Sequence, residues 1–203
     1  MSTSLPEIEW TPKARAVLAS ASELFYERGI HAVGVDAVAE RAGVTKKTLY
    51  DRFGSKERLV VEYLRARDLE WRALVAERLD AVGQDPLDRL AAYFDASAAW
   101  ARARAWKGCG MINAHAEISD PGHPAYAVIV AHKRWTLGLL RGLVEAAGVG
   151  GADADAVADH LMLLHEGVMA ASGIGVPDDA FARGRDAGVG VLSRAARAAR
   201  SGS

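Results

Sequence analysis

Lys46, Lys47, Thr48, Tyr50 and Arg52 crowd five hydrogen-bonding side chains into seven residues, with Thr45 directly before them. Lysine and arginine donate to phosphate oxygens and to guanine edges, and hydroxyls donate and accept. Lys56 follows at the start of the next helical run, where free backbone N–H groups beside a lysine make a phosphate site. The chemistry these types and spacings support is non-covalent recognition of a polyanion. The candidate contacts to such a polyanion are Thr45, Lys46, Lys47, Thr48, Tyr50 and Lys56, with Lys56 on a phosphate.

Bond-making chemistry finds less support. His115-Ala116-Glu117 has the His-x-Glu of zinc deaminases, but those need a Pro-Cys-x-x-Cys partner and Cys109 is the only cysteine. His165-Glu166 lacks the second histidine of a zincin, since Met169 stands at that position. No nucleophile elbow, P-loop or dinucleotide fingerprint occurs. Cys109 reads as a buried thiol rather than a nucleophile. Glu117 with His132 or His165 stays open as a metal pair on residue types alone. The expectation is a binding protein with no catalytic residue, cofactor or metal, a small helical enzyme being the disfavoured alternative.

The elements that must position the basic cluster are legible. Val35, Val38, Ala39 and Ala42 recur at i, i+3, i+4 and i+7, the apolar stripe of a helix. Gly43 follows where a left-handed cap wants glycine. Thr45 caps the next helix, in which Leu49 and Phe53 face inward and leave the polar residues outside. That helix is short; isolated helices need roughly 12–15 residues to persist in water, so packed neighbours must hold it. Ser55 caps a third helix, with Glu57 in its first turn. A short basic helix on a packed support is what the major groove admits.

The run Ala39-Glu40-Arg41-Ala42-Gly43-Val44-Thr45-Lys46-Lys47-Thr48-Leu49-Tyr50-Asp51-Arg52-Phe53-Gly54-Ser55-Lys56-Glu57 resembles the N-terminal helix-turn-helix of TetR-family (tetracycline-repressor-like) transcriptional regulators. The likeness extends back through Ala21-Ser22-Glu23-Leu24-Phe25-Tyr26-Glu27-Arg28-Gly29, and more weakly to Gly108–Glu117 and Asp120–Pro124. Two positions depart from the family pattern: Gly34 replaces a hydroxyl cap, and Lys47 stands where a small residue is common. The resemblance implies an all-α, two-domain regulator: an N-terminal three-helix DNA-binding domain over 10–56 and a ligand-binding and dimerisation domain over 57–203. It implies a homodimer on a palindromic double-stranded DNA operator, acting as a repressor released by a small-molecule effector. An activator, or a regulator that answers to no ligand, is the alternative.

Composition is compatible with this. The chain has 203 residues, half of them hydrophobic, with a formal net charge of −1. Residues 10–58 carry nine Lys/Arg against six Asp/Glu, a net of +3, which leaves −4 for the rest. A basic head on an acidic body fits a DNA-binding module joined to a partner domain. No run of about 18 apolar residues suggests a membrane span, and Met1 to Trp10 lacks the regions of a secretory leader. A single cysteine and no leader point to the cytoplasm.

Beyond residue 59 the chain reads as helical throughout, with runs near 55–82, 86–106, 122–147, 153–173 and 178–200, and about nine helices in all. Val157, Leu161, Leu164 and Val168 form one apolar stripe, and Phe181, Gly188, Val191, Leu192, Ala195 and Ala199 another. Gly184, Gly188 and Gly190 would let helices approach closely, and the family resemblance assigns these two helices to a dimer bundle. Tyr93, Trp100, Met111, Trp135 and Met162, with His115, Glu117 and His165, combine large apolar groups with a few polar ones, the make-up of a ligand pocket.

Overall fold

In the computed structural model, which describes residues 8–103 and 107–201, every regular element is helical. Nine helices occur among the described residues: α1 (Pro12–Arg28), α2 (Val35–Arg41), α3 (Lys46–Phe53), α4 (Lys56–Asp80), α5 (Pro86–Arg102), α6 (Gly110–Glu117), α7 (Pro124–Ala146), α8 (Gly151–Ile174) and α9 (Ala180–Ser201). The expected leader-free start over residues 1–7 and the tail of the 86–106 run at 104–106 lie outside the described residues.

Local chemistry sets the helix ends. Thr11 caps α1, its hydroxyl accepting from the Ala14 N–H at 3.3 Å, and Pro12 fills the first position, where a missing N–H costs nothing. Asp85 and Pro86 repeat that arrangement at α5. Gly43 takes φ +64°, the left-handed conformation expected after α2. Helix α6 falls in a stretch that reads as turn because of Gly108 and Gly110. Only Gly108 has positive φ. Gly110 is helical and buried, and a Cβ there would collide with the Arg67 side chain, so that glycine answers to packing rather than to a turn.

Two compact units emerge. The first comprises the chain through Arg67 together with Gly110–Ile129; the second comprises Asp68–Cys109 and the chain from Val130 onward. The first has a core of Val17, Leu24, Phe25, Val38, Leu49, Phe53, Leu59 and Leu64, to which Met111 adds from α6. Phe25 and Tyr63 meet edge to face at 5.7 Å between ring centres. The second packs Trp71, Tyr93, Phe94, Trp100, Leu140, Leu161, Val168 and Leu192 into one cluster.

The two apolar stripes of α8 and α9 turn inward. Leu161 and Leu192 are fully buried within the chain, and Val157, Leu164, Phe181 and Val191 pack on the same core. The glycines act here as well. A Cβ on Gly184 would collide with Val168 Cγ2, and one on Gly188 would stand 3.0 Å from the Phe94 ring. Gly184 and Gly188 therefore let α9 lie close on α5 and α8 of its own chain. The line of α8 left outside is a different one, Ala156, His160, Leu163, Gly167, Ala170 and Ile174, with Leu163 69% exposed and Ile174 80%.

Candidate DNA interface and interior polar cluster

Helices α2 and α3 bury Val38, Ala39, Leu49 and Phe53 and turn their polar sides outward. Thr45 caps α3: its Oγ1 accepts from the Thr48 N–H at 3.1 Å and lies 2.9 Å from the Thr48 hydroxyl. Lys47 has 83% of its side chain accessible and donates to Asp51 at 2.6 Å one turn on. Lys46 donates to Asp36 of α2 at 3.0 Å, and that hydrogen bond raises the lysine above its ordinary range. Arg52 pairs with Glu9 and Arg41 with Glu23. Tyr50 is exposed. Gly34 caps α2 with no side-chain bond, as its type requires.

Lys56 opens α4, with its ammonium 6.0 Å from the centre of the Phe25 ring. The Ser55 hydroxyl accepts from the Arg58 N–H at 3.1 Å, completing the expected cap. Beside it, Glu57 lies below the ordinary carboxylate range, held there by its own backbone N–H and the Ser55 hydroxyl. All six predicted DNA contacts thus stand on α3, its cap and the first turn of α4, within the first unit.

The eight predicted ligand contacts divide between the units. Tyr93, Trp100, Trp135, Met162 and His165 belong to the second, and Met111, His115 and Glu117 to the first. Met111 is core, and His115 is exposed, its ring 5.8 Å from that of Tyr126. Glu117 has a bracing role: its two oxygens accept from the backbone N–H groups of Ile30 at 2.9 Å and His31 at 2.7 Å. It thereby ties the end of α6 to the connector between α1 and α2.

In the second unit, His165 is the hub of a buried polar cluster. Ser97 Oγ donates to the Tyr93 carbonyl at 3.1 Å, so at 2.9 Å it accepts from His165 Nε2–H. That leaves Nδ1 to accept from the Tyr93 hydroxyl at 3.3 Å, a neutral tautomer inferred from donor bookkeeping. Burial favours the same state, pushing His165 down and the Tyr93 phenol well up. Next along α8, Glu166 receives Lys133 at 2.7 and 2.8 Å. Burial works against the charge of Glu166, but the two bonds from the Lys133 ammonium favour it and hold the carboxyl below its ordinary range. A second pair lies on α4 and α7, where His132 Nδ1 donates to Asp68 at 2.7 Å and Arg72 joins at 2.7 Å. Burial opposes the Asp68 charge, yet the two bonds keep that carboxyl below its ordinary range.

A cavity of about 550 Å³ lies between α5, the end of α8 and the start of α9, lined by Asp95, Arg102, Ser172, Phe181 and Arg185. Another of about 330 Å³ in the first unit is lined by His31, Lys56, Glu57, Glu117 and His123. Neither is lined by Tyr93, Trp100, Trp135, Met162 or His165, which pack into the core. The oxygens of Glu117 are taken by amides, His165 by Ser97 and Tyr93, and His132 by Asp68. No three His, Cys, Asp or Glu side chains among the described residues are grouped to hold a metal.

Comparison with known proteins settles the family. Residues 17–63 match the family model described as bacterial regulatory proteins, tetR family. The crystal structure of a TetR-family transcriptional regulator from Streptomyces coelicolor is 31% identical, covers 94% of this chain and 100% of its own, and superposes with a TM-score of 0.83. The chain belongs to the TetR family. It is therefore a DNA-binding transcriptional regulator, of a family that regulates rather than catalyses. Curated HTH-type relatives match part of the chain. The transcriptional activator FasR of Mycolicibacterium smegmatis is 50% identical over 48 residues, 24% of this chain and 22% of FasR. The transcriptional repressor KstR2 of Mycobacterium tuberculosis is 41% identical over 83 residues, 40% of each chain. The chain thus spans two fifths or less of these curated relatives. Among the described residues of this TetR-family chain, no helix is long and apolar enough to cross a membrane.

Sequence reasoning passed over Asp68, Ser97 and Lys133 of the interior cluster, and weighed His132 and Glu166 only as members of metal motifs. The available signal was a set of charged residues falling where a helix pattern calls for apolar ones. That signal appears only once the neighbouring helices are known.

Proposed function

We propose that this TetR-family regulator is a homodimeric repressor whose α3 enters the major groove of a palindromic operator, and which a small molecule releases. The observation that carries the reading is the accessible surface of α3: Lys46, Lys47 and Tyr50 are exposed and Thr48 is half-buried, while Leu49 and Phe53 are buried, on a helix capped by Thr45. Lys56 and Thr45 are assigned to phosphates, and Lys46, Lys47, Thr48 and Tyr50 to the half-site. Residues 10–56 serve as the DNA-binding domain, and 57–203 as the ligand-binding and dimerisation domain. The protein acts in the cytoplasm, where the DNA is. The exposed α8 line through Leu163 and Ile174 is assigned as the dimer face because it leaves large apolar side chains uncovered, and a two-fold dimer would set half-sites about 34–36 Å apart.

The effector is assigned to the second unit, around Tyr93, Trp100, Trp135, Met162 and His165. Helix α6 follows Cys109 directly in the chain, and its Glu117 grips the α1–α2 connector. A shift of α6 therefore reaches the reading head. Coupling of this kind requires an effector that binds the two conformers with different affinity.

Selection of random duplex DNA by the purified protein tests the reading, with recovery of a two-fold symmetric site as the expected result. Lys56→Ala should weaken all sequences alike and lower the salt slope by about one, as loss of a phosphate contact does. Unchanged affinity and slope would remove Lys56 from the interface. The match to an activator over 48 residues supports activation as the second reading. In vitro transcription from the selected site separates the two by the sign of the effect.

A further inference from the structure

One exposed acid on the recognition helix is left over by this account. Asp51 lies two residues from both Leu49 and Phe53, the two fully buried side chains of α3. At 3.6 residues per turn, two residues is slightly more than half a turn, so Asp51 points away from the core. Its side chain is 56% exposed, and its partner Lys47, 83% exposed, shares that outward line. A carboxylate on the face offered to DNA repels phosphates unless it meets a hydrogen-bond donor. In the major groove those donors are cytosine N4 and adenine N6.

Resting on the reading that α3 enters the major groove, we infer that Asp51 is a base-reading residue which, with Lys47, recognises one C·G pair in each half-site. The carboxylate accepts from cytosine N4–H, and the ammonium donates to guanine O6 and N7. The spacing fits. Cytosine N4 and guanine O6 are joined by a Watson–Crick hydrogen bond and so stand about 2.7–3.2 Å apart, while Lys47 Nζ and Asp51 Oδ2 stand 2.6 Å apart. Acceptor and donor on the protein thus face donor and acceptor on the base pair, side by side. An A·T pair offers the same donor and acceptor less favourably. Adenine places N7, an acceptor, beside N6 and repels the carboxylate; thymine places a methyl beside O4 and gives the ammonium no second acceptor. Asp36 holds Lys46 from a separate helix, at 3.0 Å. That leaves Asp51 and Lys47 as the donor–acceptor pair carried by α3 itself.

Selection from random duplexes, run in parallel with the wild type, Asp51→Asn, Asp51→Ala and Lys47→Ala, tests this. Thermal melting checks that each variant is folded. The wild type should return a symmetric site with a fixed C·G pair, favoured about tenfold over A·T. Asp51→Asn should move that position toward A·T, since an asparagine amide matches adenine N6 and N7. Asp51→Ala and Lys47→Ala should both relax the same position. An unaltered site in all variants overturns the inference. So does tighter binding of every sequence by the two Asp51 variants with a steeper salt slope, which would make Asp51 an electrostatic screen. If the folded wild type enriches no sequence, the groove reading itself fails, and that outcome is distinct from either of these.

Discussion

Truncating Glu117 to alanine isolates the brace between α6 and the reading head. The carboxylate accepts from Ile30 N–H at 2.9 Å and His31 N–H at 2.7 Å, with a quarter of its side chain exposed. Hydrogen bonds to a charged group contribute about 1.5–3 kcal/mol each. Partial exposure favours the low end, and water can replace the acceptor at His31, which is itself exposed. The Ile30 amide belongs to a buried residue. About 2 kcal/mol of local stability should therefore be lost, which is about thirtyfold in the opening equilibrium. Amide hydrogen exchange reads this directly. Protection of Ile30 and His31 should fall by about that factor, while amides in α8 remain unchanged. Glu117→Gln, with one acceptor oxygen left, should lie between the two. Unaltered protection of Ile30 in the alanine variant would refute the brace, and with it the proposed route from α6 to the connector.

Three further outcomes follow from the second unit and the cap. Gly184→Ala should destabilise by about 1–3 kcal/mol, the usual cost of overpacking, because its Cβ meets a β-branched Val168 that has little room to turn; an unchanged denaturation midpoint would contradict that contact. On acidification, two groups act in the same direction. Burial lowers His165, so the unfolded chain protonates first and stability starts to fall below its ordinary value of 6.5. Glu166, which Lys133 holds below its ordinary value of 4.5, contributes stability that is present above pH 4.5 and lost as pH falls through its lowered value. Glu166→Gln should be less stable at pH 7, since Lys133 loses its partner, and should show a flatter profile below pH 4.5. Thr45→Ala should cost about 1 kcal/mol and weaken DNA binding through loss of the Thr48 N–H partner; melting and binding curves check each part.

The head was legible because its rules are local. Leu49 and Phe53 four residues apart, a glycine at 43 and a threonine at 45 carry the geometry of α2 and α3 in adjacent positions. The body was legible only in outline. Helices α5, α7, α8 and α9 show in their periodicity, as do the apolar stripes of α8 and α9, but not what those stripes pack against, which is the core of their own chain. Helix α6 was hidden by Gly110, whose reason is the Arg67 side chain that its missing Cβ would strike. Glu117 carries no mark in the sequence of its tie to Ile30, some 87 positions away. The Ser97–His165–Tyr93 bonds likewise join residues whose separation along the chain exceeds any local pattern.

Four cations of the head carry their own carboxylates: Lys46 with Asp36, Lys47 with Asp51, Arg41 with Glu23 and Arg52 with Glu9. A genome offers on the order of 10⁶–10⁹ competing sites, and a regulator finds its own by sliding and hopping among them. A cation already satisfied at home gains little by exchanging its carboxylate for an arbitrary phosphate. On the proposed groove reading, dwell times on wrong sequences would be shortened and the molecule returned to its search sooner. Only a stretch that repays the exchange in base contacts would detain it.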